Sequence, residues 1–145
     1  MFKKILVTLD GSELAEKVLP HVEALAKNFE SEVILFHVLT LPAISASPEA
    51  SLVEDKEFAR KDALEYLERI AYRLKTLHIK ARPVVAEGKP ADEIVDYAAL
   101  EEVDVIAMST HGRSGLGRWV FGSVAERVLR ATACPVLLVR VKEIE

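Results

Sequence analysis

Ser109-Thr-His-Gly-Arg-Ser-Gly-Leu-Gly-Arg-Trp-Val-Phe-Gly-Ser123 holds four of the six glycines of the 145-residue chain, Gly112, Gly115, Gly117 and Gly122. Val103 to Met108 runs into this stretch as an apolar, strand-like segment, and Val124-Ala-Glu-Arg-Val-Leu-Arg leaves it with helical spacing. The order is therefore strand, glycine loop, helix. Glycine tolerates positive φ and lets the backbone approach another group closely. A helix start adds unpaired N–H groups and a partial positive charge, so the combination can seat a phosphate. Arg113, Arg118 and Arg127 place cations nearby. The same residues also allow a plain surface loop closed by a capping box at Ser123-x-x-Glu126. No Gly-Lys-Ser/Thr follows, and Gly115-Leu-Gly117 lacks the third glycine of a dinucleotide fingerprint.

The rest of the chain repeats the same alternation. Lys4 to Leu9 is an apolar run broken by Asp10-Gly11-Ser12, and Leu14, Val18, Val22, Leu25 and Phe29 predict one amphipathic helix. Val33 to Leu39 is apolar on both faces, as in a parallel sheet covered on both sides. Leu41 to Leu52 reads as a loop, a connector or a lid, and a long helix is expected from about Glu54 to Leu77. His78 to Ala86 contains Pro83 and predicts an edge strand, since proline cannot donate to a central ladder. Pro90 suits the first turn of a third helix. Val103 to Met108, a helix from Ser123 to Ala131 and a strand from Pro135 to Val141 complete the chain. Strands alternating with helices predict an α/β fold, a three-layer α/β/α sandwich with a five-stranded, mostly parallel sheet, as one domain over residues 1–145. Ligands of such folds sit at the carboxyl ends of strands, at the switch point of the sheet. If the first and fourth strands are neighbours, Asp10 and the glycine loop share one crevice.

Composition narrows the function classes. Half of the residues are hydrophobic, 29% are charged and the formal net charge is -4, which argues against a nucleic-acid partner. The longest uncharged stretch, Val33 to Pro48, is too short and too broken to span a membrane. The single cysteine, Cys134, has no internal disulfide partner and reads as a buried structural thiol in a cytoplasmic protein. Ser114 and Ser123 lack a nucleophile elbow. His37 reads as a core or semi-buried histidine, His111 as a residue that orients the loop, and Trp119 and Phe121 as core or interface anchors. Asp10 is either a turn residue or a carboxylate placed for a ribose or a metal–phosphate.

Lys4-Ile-Leu-Val-Thr-Leu-Asp-Gly-Ser12, Val33-Ile-Leu-Phe-His-Val38, Gly88-Lys-Pro-Ala-Asp-Glu-Ile94 and Cys134-Pro-Val-Leu-Leu-Val139 together resemble universal stress protein domains over essentially the whole chain. ATP-binding members of that family carry Gly, two residues, Gly, nine residues, Gly and Ser/Thr. Here the pattern lands on Ser109, Gly112, Gly122 and Ser123, with serine replacing the first glycine. The resemblance implies a Rossmann-like, adenine nucleotide alpha hydrolase-like fold. It also implies ATP as cofactor, with Asp10 and the backbone around Thr8 lining the adenosine and Val38 against the adenine. Met108, Ser109 and Gly112 would border ribose and phosphates. Gly122, Ser123 and Val124 would hold the phosphate tail with a Mg²⁺ or Mn²⁺ ion. It further implies a homodimer through the last strand, Val136 to Val141.

Two functions follow from these readings. One is a nucleotide-dependent stress-response switch, at most a weak ATPase, because no positioned general base is visible and Arg113 alone is a poor basis for efficient phosphoryl transfer. The other is an ATP-independent dimeric scaffold for an unknown protein partner, favoured by Ser109.

Overall fold

The computed structural model describes residues 1–40, 49–111 and 122–141. Its elements are β1 (Lys4–Thr8), α1 (Glu13–Glu16), α2 (Leu19–Phe29), β2 (Glu32–Leu39), α3 (Glu49–Thr76), β3 (Lys80–Glu87), α4 (Pro90–Leu100), β4 (Val105–Ser109), α5 (Ser123–Ala131) and β5 (Val136–Val139). The strands form one sheet in the order β3-β2-β1-β4-β5, and every pair is parallel. The order reverses between β1 and β4, so the switch point lies between the ends of those two strands.

Alternation along the strands makes the three layers. On one face Ile5, Val7, Val33, Leu35 and Ala107 pack under α2 and α3 through Leu19, Val22, Leu67 and Leu74. On the other, Leu6, Ile34, Phe36 and Ile106 pack under α4 and α5 through Ile94, Ala98 and Val128. Most of these side chains are fully buried, each worth about 1.5–3 kcal/mol relative to exposure. β3 is an edge strand, and Pro83 is accommodated in it opposite Leu35.

Two expectations are corrected. The first amphipathic segment is not one helix: it breaks after α1, and α2 begins with Pro20 in its first turn. Proline has no N–H to continue the ladder and its ring crowds the preceding turn, so Pro20 starts a new helix instead of sitting inside one. The long helix starts five residues early, so Glu49 to Leu52 are helical and not loop. Of the segment read as connector or lid, residues 41–48 lie outside the described ones. Lys56 and Arg60 of α3 pair with Glu87 at the end of β3, at 2.8 and 2.6 Å. The hydrogen bonds they donate hold the Glu87 carboxyl below the usual carboxylate range. Among the described residues no helix is long and apolar enough to cross a membrane.

Candidate functional site

The carboxyl ends of β1, β2 and β4 open into a cleft of about 430 Å³ roofed by the start of α5 and flanked by Pro90 and Ile94 of α4. That volume lies in the range of small-molecule sites, roughly 300–1,000 Å³. Every expected site residue among the described ones lines it: Thr8, Asp10, Val38, Met108, Ser109, Gly122, Ser123 and Val124. Gly112 and Arg113 lie outside the described residues, as do Trp119 and Phe121.

The turn after β1 is held by its own side chains. Asp10 Oδ1 accepts from the backbone N–H and the hydroxyl of Ser12, at 2.9 and 2.5 Å. Ser12 Oγ in turn accepts from the Ala15 N–H at 3.1 Å and caps α1. Asp10 is thus both a turn residue and a wall of the cleft. Tyr66 reaches over from α3, donating to Glu16 Oε2 at 2.8 Å. Burial, and then the bond to Glu16, push the Tyr66 phenol above its ordinary range.

The start of α5 differs from the capping-box reading. The N-cap is Gly122, which has no side chain to cap with, and Ser123 is the first helical residue. Glu126 does not reach back: its Oε1 accepts from Arg130 at 2.7 Å. The N–H groups of Ser123, Val124 and Ala125 therefore begin the helix without intrahelical acceptors, at the rim of the cleft. Gly122 donates its own N–H to the Thr110 carbonyl at 2.7 Å. A Cβ at Gly122 would lie 3.1 Å from that carbonyl oxygen. Its φ of -56° is ordinary, so glycine is needed here for close approach and not for a left-handed turn.

Ser109 is buried, and its hydroxyl is shared between the carbonyls of Leu14 and Ala15 in α1, at 2.9 and 3.1 Å. The serine that replaces a glycine of the family pattern thus turns its hydroxyl to α1. Several cleft residues were not anticipated from sequence: Thr40, Thr110, Pro90 and, above all, His37. His37 reads from sequence as a core or semi-buried histidine, and its burial agrees, but its place in the cleft does not follow from that reading. It is half-buried, its Nδ1 is 2.7 Å from the Leu9 carbonyl oxygen, and it lines the cleft. The available signal was its place near the carboxyl end of a strand. Thr110 joins the ends of β4 and β5, taking the Val139 carbonyl with its N–H and the Val141 N–H with its Oγ1. Cys134 is half-buried rather than buried, and its thiol donates to the Val103 carbonyl at 3.2 Å. Among the described residues no group of three or more His, Cys, Asp or Glu side chains is placed to hold a metal ion.

The model of the universal stress protein family matches residues 1–140. The chain belongs to the universal stress protein family. Universal stress protein MJ0531 of Methanocaldococcus jannaschii is 34% identical over 97% of this chain and 83% of its own length. The solved structure of MJ0577, from the same organism, is 38% identical and has a TM-score of 0.90 over 99% of both chains. A universal stress protein family member from Arabidopsis thaliana, solved with AMP bound, shares the fold at 18% identity, with a TM-score of 0.70 over 97% of this chain and 92% of that one.

Proposed function

We propose that this universal stress protein binds ATP in the cleft at the β1–β4 switch point and acts in the cytoplasm as a nucleotide-dependent stress-response switch, with slow hydrolysis at most. The observation that carries the reading is the uncapped start of α5, facing the same cleft as Asp10 across two neighbouring strands. Open N–H groups and the positive end of a nine-residue helix suit a phosphate. The cleft runs from there past Ser109 and Thr8 to Val38 and His37, so its far side lies over β2, where the nucleoside would rest. The AMP held by the Arabidopsis protein supports the same ligand class. Gly122, Ser123 and Val124 would hold the phosphates, and Asp10 and Val38 would border the nucleoside. A Mg²⁺ or Mn²⁺ ion would arrive on the phosphates.

The scaffold reading rested on Ser109 obstructing the nucleotide. With that hydroxyl bonded to α1, the observation no longer favours it. Calorimetric titration with ATP and Mg²⁺ tests the proposal. Saturable binding is expected, and no heat at millimolar nucleotide would overturn it.

A further inference from the structure

One polar side chain of the cleft has no role in the phosphate seat. His37 stands at the end of β2, beside Val38. Its Nδ1 lies 2.7 Å from the carbonyl oxygen of Leu9. A carbonyl only accepts, so Nδ1 carries the proton, and in the neutral ring Nε2 is left with a bare lone pair. The acceptor is itself fixed, because the Leu9 N–H donates to the Phe36 carbonyl at 2.9 Å. Two bonds between the ends of β1 and β2 therefore hold the ring in one tautomer and one orientation. Among the described residues Nε2 has no hydrogen-bond partner. No buried side-chain nitrogen or oxygen among them goes unpaired, so Nε2 is reachable from solvent on a residue that lines the cleft.

We infer that Nε2 of His37 is a specificity-determining acceptor for the bound nucleotide, taking a hydrogen bond from an O–H or N–H donor of its nucleoside half. This rests on the nucleotide reading above. A bare lone pair needs a donor, and phosphate oxygens at neutral pH supply none. Position agrees with this chemistry. β2 and β4 flank β1 on opposite sides, which sets their ends two strand spacings apart, roughly 10 Å. The phosphate seat follows β4, so the group reaching His37 belongs to the sugar or the base. Asp10 and His37, from adjacent strands, would both face that half of the ligand.

The experiment is calorimetry with ATP, 2′-deoxy-ATP, 3′-deoxy-ATP and inosine triphosphate, each with Mg²⁺, on the parent and on His37→Asn. Asparagine sets its amide nitrogen where Nδ1 stood, so the tie to Leu9 is kept and Nε2 is lost. The parent should bind one of the three analogues about tenfold more weakly than ATP, the loss expected for one hydrogen bond. The sugar analogues and the inosine analogue tell a hydroxyl donor from the exocyclic amine. His37→Asn should bind ATP about tenfold more weakly and lose that discrimination, while its melting temperature stays near the parent's. A purely structural histidine predicts parent-like binding by this variant. Parent-like affinity together with parent-like discrimination in His37→Asn overturns the inference alone. Equal binding of all four nucleotides by the parent also overturns it, without reference to any variant. Failure of the parent to bind any of them overturns the nucleotide reading and this inference together.

Discussion

Ser109 is the residue at which the chain departs from the nucleotide-binding pattern of its family, and its surroundings remove the conflict. The hydroxyl meets the carbonyls of Leu14 and Ala15 and ties β4 to α1. Replacing Ser109 by glycine would delete that tie and place a flexible residue at the end of a central strand. We expect Ser109→Gly to lower stability by roughly 1–2 kcal/mol, from one lost hydrogen bond and the backbone entropy of glycine. ATP affinity should stay within about threefold of the parent, because the hydroxyl is already engaged by the carbonyls of α1. Denaturant titration and calorimetry measure the two quantities. A tenfold gain in affinity would show that the serine does obstruct the ligand.

Among the elements, α3 has the least obvious connection to the cleft, yet it helps to hold the turn after β1. Tyr66 bonds Glu16 of α1 and sits against the backbone of Gly11, next to Asp10. Removing the hydroxyl by Tyr66→Phe leaves the ring packing in place and should cost about 1–2 kcal/mol near neutral pH, the worth of a hydrogen bond to a partly exposed charged group. The phenol's folded pKa is raised above its unfolded value. Its contribution is therefore complete below the unfolded value of about 10 and is lost as pH rises toward the folded one. The stability gap between parent and variant should hold steady up to about pH 9 and shrink as pH rises from about 10 upward in denaturant titrations. A gap that stays constant would mean that the hydroxyl is not what pins the turn.

At the scale of the molecule, the two edges of the sheet are unequal. β3 carries Pro83 and is braced by the pairs from Glu87 to α3. β5 is the opposite edge, a strand of four apolar residues, all half-buried. Leu137 and Val139 lean on one core cluster while Val136 and Leu138 lean on the other. An apolar edge with open backbone groups invites another strand. We propose that a second copy of the chain covers it about a two-fold axis, through the Val136 to Val141 segment. Sedimentation at micromolar concentration should give the mass of a dimer, with a melting temperature that rises with protein concentration. A monomer under those conditions would refute the proposal.

The sequence alone carried the layer order, the mostly parallel sheet and the strand-end positions of Asp10 and Ser109 in the cleft, because these depend on local signals. Val33 to Leu39 is apolar on both faces, Pro83 marks an edge, Pro90 opens a helix, and Asp10 and Ser109 close apolar strands. Pro20 was legible too, and outweighed a periodicity that ran across it. Folding had to settle which groups from distant parts of the chain meet. β1 pairs with β4 across about a hundred residues, which brings Asp10 to the start of α5. The direction of the Ser109 hydroxyl depends on α1, 94 and 95 positions away. The tautomer of His37 depends on a carbonyl 28 positions away. The N-cap falls on Gly122 because its backbone sits against the Thr110 carbonyl too closely for a side chain. Periodicity reports which face of an element is buried. Which carbonyl a hydroxyl or an imidazole finds is set by strand register and helix docking, and those are properties of the assembled core.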